Sequence, residues 1–399
     1  MFNLARKPRG RVVAVADVGG GSAGVAIVEA RPGNPPNVVT FERLTLPMEA
    51  RSRDASAAGV IAQLGAAAEK ALTAYAAALG KDQTPHVESA YAIIRAPWTR
   101  SKTMRAESVL SEGTRIESAT IATLAQEAVK GDTEFDHGNV FEASVVRVEL
   151  NGYPTGKPEG KYANRIAVSV LLSDCNPEIR TSVGETLQKT FACPPPVIRS
   201  GVRAIISVLN EHAVLLKDCL IVNVTSNATS FIVVRKGVAA EIEHITEGTW
   251  SIVKRIAGEK MPEEVLTLIR LLSEDKCEND ACESIRASIA HVELDLVKIF
   301  GEVFVKMSTL RRLPNALILF VPNDLSDWLS RFFARIDFAP FTVTTRPFSV
   351  EFSAREEFAK IVAGFSAASS DPALALASAL VPLEMAGSWN RQPSGRPIV

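Results

Sequence analysis

Apolar and β-branched residues crowd positions 11–18 and 25–28 on either side of a glycine turn, Gly19, Gly20 and Gly21; a Pro/Gly stop at 31–36 and a further strand-like run at 37–44 follow. This pattern predicts an antiparallel three-stranded meander with the glycines in its first hairpin. With Gly24, the same glycines spell G-x-G-x-x-G, a dinucleotide fingerprint that must open a helix. Strand residues come next instead, so the dinucleotide reading fails.

The pattern then repeats. Residues 17–28 (DVGGGSAGVAIV) align without gaps on 223–234 (NVTSNATSFIVV), and 238–245 completes a second meander about half a chain later. Two lobes of related topology are expected. Between them, 54–79 has helical spacing, 87–95 and 102–109 read as strands and 116–130 as a helix. Strands at 141–150 and 165–172 flank the polar loop NGYPTGKPEGKYAN, and a helix covers 176–191. This mixed block reads as a subdomain inserted into the first lobe.

Helices are expected at 201–212, 249–257, 262–272 and 283–310, and a strand at 316–321 that stops at Pro322. A helix at 326–336 opened by Ser326, a strand at 341–346 and a short helix at 354–363 come next. The last helix, 371–383, has Asp371 as its cap and Pro372 in its first turn.

Composition narrows the function. With 399 residues, 47% hydrophobic, the chain can fill more than one core, and a net charge of −1 disfavours nucleic acid as a partner. The five cysteines are scattered; Cys277 and Cys282, in CENDAC, read as surface cysteines ahead of a metal or redox pair. A reducing, cytoplasmic setting is expected. No apolar run reaches the ~20 residues of a membrane span, and the five histidines show no metal-ligand spacing. No G-x-S-x-G elbow occurs.

The order of these segments over 11–383 resembles the actin-like ATPase superfamily, and within it the FtsA/PilM branch. Residues 17–21 look like the first phosphate motif, and 223–230 stand at the second, usually D-x-G-G-G-T-T-D. Residues 244–257, with Gly248, resemble the segment after it, and 316–325 the adenosine strand and turn. The resemblance implies a two-lobed α/β fold: 11–86 with 192–214 as the first lobe, 87–191 as an SHS2-type inserted subdomain, 215–384 as the second lobe and 385–399 as a loose tail.

It also implies a site. Asp17, Gly19, Gly20, Gly21 and Ser22 would face Asn223, Thr225, Ser226, Asn227 and Thr229 across a cleft, with Gly248, Pro322 and Asn323 nearby and Asp17 holding Mg²⁺ through water. The pattern is degenerate, however. Asn223 has no charge, side chains at 225–227 replace a glycine run, and Pro322 stands where the adenosine turn has glycine. ATP with Mg²⁺ is therefore expected to be a weak or lost ligand, with little or no turnover.

The loop at 148–170 resembles FtsA more than PilM. An FtsA-like scaffold for cell division or cytoskeletal assembly is the first expectation, a PilM-like type IV pilus platform the second, and a small-molecule kinase the third. The inserted subdomain would bind division or pilus partners, and self-association is a further interaction to test. The protein is expected in the cytoplasm or at the inner face of the membrane, reaching it only through a partner, since Pro393 and Pro397 prevent an amphipathic anchor in the tail.

Overall fold

The computed structural model describes residues 10–48, 51, 56–80, 83–212, 218–274, 276–277, 280–309, 311–353, 361–365 and 371–386. Strands β1 (Arg11–Val18), β2 (Ser22–Ala30) and β3 (Asn37–Thr45) form the first meander, followed by helix α1 (Ala57–Leu79) and strand β4 (Ser89–Ile94). Strand β9 (Val197–Ser200), which the sequence pattern did not single out, completes a sheet of order β3-β2-β1-β4-β9.

After helix α4 (Gly201–Glu211), strands β10 (Cys219–Val224), β11 (Thr229–Arg235) and β12 (Val238–Ile245) repeat the meander. With β13 (Ala316–Phe320) and β14 (Ser349–Ser353) they give a second sheet of the same design, β12-β11-β10-β13-β14. The repeat extends to register: Asp17 lies opposite Gly24 in the first hairpin and Asn223 opposite Ser230 in the second.

Between β4 and β9 a third sheet of order β5-β8-β6-β7 is built from β5 (Thr99–Arg115), β6 (Val140–Leu150), β7 (Tyr153–Pro154) and β8 (Tyr162–Cys175). Helix α2 (Ser118–Lys130) packs on it through Ile121, Leu124 and Val129. The third sheet accounts for only part of 87–191. Strand β4 pairs in parallel with β1, and helix α3 (Pro177–Phe191) joins α1 in the core beneath the first sheet. A parallel strand and its covering helix belong to the sheet they complete, whatever lies between them in sequence.

Helix α1 is rich in alanine, and Ala67, Ala68 and Ala71 are buried where it approaches the sheet; Ser56 caps it by accepting from the Gly59 amide at 3.1 Å. The second sheet's outer face is covered by α5 (Thr249–Ala257), α6 (Pro262–Ser273), α7 (Asp280–Ser308) and α8 (Asn323–Arg335), whose core includes Phe231, Phe300, Phe304, Phe332 and Phe333.

Helix α9 (Pro372–Met385) is apolar all round and buried over Leu374–Leu383. Such a helix must lie between layers. It packs beside α4 in the core that joins the two sheets, touching β1 and β2, so it does not simply belong to the second lobe as its place in sequence suggests.

Other expectations shift. Helix α8 opens at Asn323, with Pro322 as its cap residue, three positions before Ser326. At 341–346 there is no strand: Thr342 accepts and donates in a tight turn and Thr345 takes a φ of 52°, incompatible with extended backbone. The edge strand is Ser349–Ser353 instead. Residues 354–360 of the expected short helix, and 387–399 of the tail, lie outside the described residues. Cys277 and Cys282 are not surface cysteines; both are buried and joined as a disulfide at the start of α7. No helix among the described residues is long and apolar enough to cross a membrane.

Candidate functional site: the inter-sheet cleft

The two glycine-type hairpins meet. Gly19, Gly20 and Gly21 turn between β1 and β2, and Thr225, Ser226 and Asn227 turn between β10 and β11. A β-carbon at Gly20 would lie 2.7 Å from Asn227 Oδ1 and 2.8 Å from Pro97 Cδ; one at Gly21 would lie 2.8 Å from Ser226 Cβ and closer still to its hydroxyl. Neither glycine has a positive φ. Their lack of a side chain serves the contact between hairpins, and the Thr225 hydroxyl ties the second hairpin to the turn after β4 by donating to the Ala96 carbonyl at 3.1 Å.

Backbone donors are already engaged around the second turn. The first two amides of α5, Thr249 and Trp250, donate to the Thr225 and Ser226 carbonyls at 2.9 Å each. Gly248 precedes them, and a β-carbon there would lie 2.7 Å from the Ala228 nitrogen. Thr229 donates its hydroxyl to the Glu247 carbonyl at 2.6 Å. Gly248 and Thr229 therefore brace the hairpin and do not line the cleft.

Beside the hairpin contact lies a cavity of about 530 Å³, lined by Asp17, Gly19, Gly20, Gly21, Ser22, Asn223, Thr225, Ser226 and Pro322 of the expected residues. Asn227 sits at the hairpin contact instead, and Asn323 opens α8. The apolar wall includes Phe41, Val253, Leu266, Phe320 and Leu376.

Sequence reasoning missed the residues that set the charge. Asp17 is buried, and its Oδ1 accepts from Arg95 Nε at 2.5 Å while its Oδ2 accepts from Arg43 Nη2 at 2.9 Å. Arg43 also pairs with Asp371, through Nε to Oδ2 and through Nη2 to Oδ1 at 3.3 Å. Asp371 Oδ1 caps α9 by accepting from the Ala373 and Leu374 amides at 3.0 Å each.

Burial opposes charge on both partners, but the pairing wins: the carboxylates raise the Arg43 guanidinium above its ordinary value, and Arg43 holds Asp371 below the usual carboxylate range. Arg51, whose Nε donates to the Leu46 carbonyl at 2.7 Å, is shifted down by burial despite Glu263. In Asn223 and Ser226, the buried Oδ1 and Oγ have no hydrogen-bond partner among the described residues. No group of three or more His, Cys, Asp or Glu able to hold a metal occurs among them either.

One signal for Arg43 was present. It lies opposite Gly24, the third glycine of the fingerprint, where a β-carbon would be 2.9 Å from Arg43 Nη2. That glycine makes room for a guanidinium, not for a pyrophosphate.

No protein-family model and no curated protein matches the sequence. Among solved structures, the PilM-PilN type IV pilus biogenesis complex matches with a TM-score of 0.54 at 13% identity, over 93% of this chain and 98% of that one. The ethanolamine utilization protein EutJ from Carboxydothermus hydrogenoformans aligns over 93% and 90% at 11% identity with a TM-score of 0.40. A non-polymerising mutant of MamK bound to AMPPNP aligns over 94% and 99% at 7% identity with a TM-score of 0.38. The paired sheets, the central helices and the likeness to the pilus complex together show that the chain has the two-lobed actin-like ATPase fold.

Proposed function

We propose that the protein is an actin-fold scaffold that acts by docking a protein partner, with nucleotide binding weak or lost. The observation that carries this is the pairing at the cleft: Asp17 has guanidinium groups on both oxygens, and the two hairpins are in direct contact at Gly20 and Gly21. Hydrated Mg²⁺ needs an acid free to accept from its water. Asp17 and the neutral Asn223 do not fit it. A kinase reading needs, in addition, a general base for an acceptor hydroxyl; Asp17 and Asp371 are paired with Arg43, and of the carboxylates lining the cavity that leaves Asp324, in the first turn of α8.

Between the scaffold readings, the pilus platform is favoured over the division scaffold by the 98% coverage of the pilus structure. The partner would then be a membrane protein with a cytoplasmic segment, and this chain would sit at the inner face of the membrane. The third sheet offers a docking end, where Val109, Tyr153 and Tyr162 are 83, 77 and 67% exposed.

Calorimetry with Mg-ATP should give no saturable heat, turnover should stay at background, and capture of the co-encoded membrane partner should proceed without nucleotide. Robust ATPase activity lost in Asp17→Ala would overturn the reading. Capture unaffected by the paired change Tyr153→Ala and Tyr162→Ala would move the partner surface away from the third sheet.

A further inference from the structure

Arg43 does more than fill space beside the first hairpin. All four carboxylate oxygens of Asp17 and Asp371 accept from N–H groups of the chain itself: Arg95, Arg43 and the first amides of α9. Asp17 Oδ2 and Asp371 Oδ1 share one nitrogen, Arg43 Nη2, at 2.9 and 3.3 Å. Arg43 and Arg95 together bring the charge of one divalent ion to two buried acids.

We infer that Arg43 is a built-in cation standing in for a divalent metal, so that the two acids are neutralised and the hairpins held together without metal or nucleotide. This deepens the scaffold reading above and rests on it. The placement is enforced from several sides. Gly24 leaves space for the guanidinium opposite it in register, and Ser22 Oγ accepts from Arg43 Nη1 at 3.1 Å. The connected strands and helix come from both ends of the chain: β1 and β3 near the start, α9 near the end.

Adding a divalent ion to this arrangement would place two further positive charges beside two guanidinium groups, with no oxygen of Asp17 or Asp371 left unbonded. At contact distances and low dielectric such repulsion outweighs any coordination gained. Removing the guanidinium reverses the balance. Two acids then face the same vacated space, which is the condition for binding a hard cation.

The full-length chain tests this by thermal unfolding in EDTA and in millimolar Mn²⁺, with water-proton relaxation reporting bound Mn²⁺. Wild type should unfold at the same temperature in both and show no relaxation enhancement. Arg43→Ala should unfold several degrees lower in EDTA and recover at least half of that loss with Mn²⁺, the recovery disappearing when Asp17→Asn is added. Arg43→Lys, which keeps a cation, should remain indifferent to metal.

Enhanced relaxation or Mn²⁺ stabilisation in wild type, lost in Asp17→Asn, would overturn the inference; so would an Arg43→Ala protein that folds and ignores Mn²⁺. Should Arg43→Ala not fold, the wild-type measurement decides alone. A partner that binds only with Mg-ATP would remove the scaffold reading, whereas these metal measurements bear on Arg43 itself.

Discussion

Replacing Gly21 by alanine separates two roles that a glycine-rich turn can have. The backbone there needs no positive φ, so the substitution brings no conformational strain of its own. The new β-carbon, however, would lie 2.8 Å from Ser226 Cβ and 3.3 Å from Arg51 Cδ. The serine hydroxyl and the arginine stem can rotate away, but Ser226 Cβ is fixed to its backbone. The hairpins must part by several tenths of an ångström, an overpacking cost of about 1–3 kcal/mol.

The cost should vanish when the obstacle does. Ser226→Gly removes both offending atoms, and the hydroxyl it deletes makes no hydrogen bond among the described residues. By itself that change should cost roughly 0.5–1 kcal/mol of backbone entropy. Urea unfolding of the four proteins, followed by Trp98, whose indole donates to the Gly19 carbonyl at 2.8 Å, closes a double-mutant cycle. Gly21→Ala should be at least about 1 kcal/mol less costly in the Ser226→Gly background than in wild type. If the single mutant were neutral, or its cost independent of residue 226, the glycine would not be there for the contact between hairpins.

Two further outcomes follow from polar groups buried between elements. Glu142 of β6 accepts from Ser200 Oγ at 2.7 Å and from Arg203 Nη1 at 2.9 Å, tying the third sheet to α4 and through Arg203 to Glu384 of α9. Glu142→Ala should therefore destabilise the protein by about 3–5 kcal/mol, and a urea-measured loss below ~1 kcal/mol would contradict a structural role for this pair. His244 of β12 accepts from the Ser101 amide of β5 at 3.1 Å through Nε2, leaving the proton on Nδ1, 2.9 Å from Ser230 Oγ. Burial holds its pKa below the usual 6.5, although the Ser101 carbonyl favours the protonated ring. The unfolded chain then binds the extra proton first, so stability should be lost as pH falls through about 6.5 and level off below the folded pKa. His244→Gln should flatten that loss; an unchanged profile would assign the pH dependence to other groups.

The meander pattern, the repeat at 17–28 and 223–234, and the Asp371 cap were legible because they are local. Alternation, turn residues and caps act within a few positions, and each sheet's hairpins form where the pattern puts them. Part of the cleft was legible for the same reason, since Asp17, Gly19, Gly20, Gly21, Asn223 and Ser226 sit in those hairpins. What sequence alone could not assign were the partners that arrive from far away. Arg43 lies in an ordinary strand run and Asp371 looks like any helix cap until tertiary structure brings them together, 328 residues apart in the chain. Helix α9, read as the end of the second lobe, is drawn to the layer between the sheets because it is apolar on every side. Charge pairing and layer packing depend on distance in space, which position along the chain does not give; that is where the cleft acquired its built-in cations.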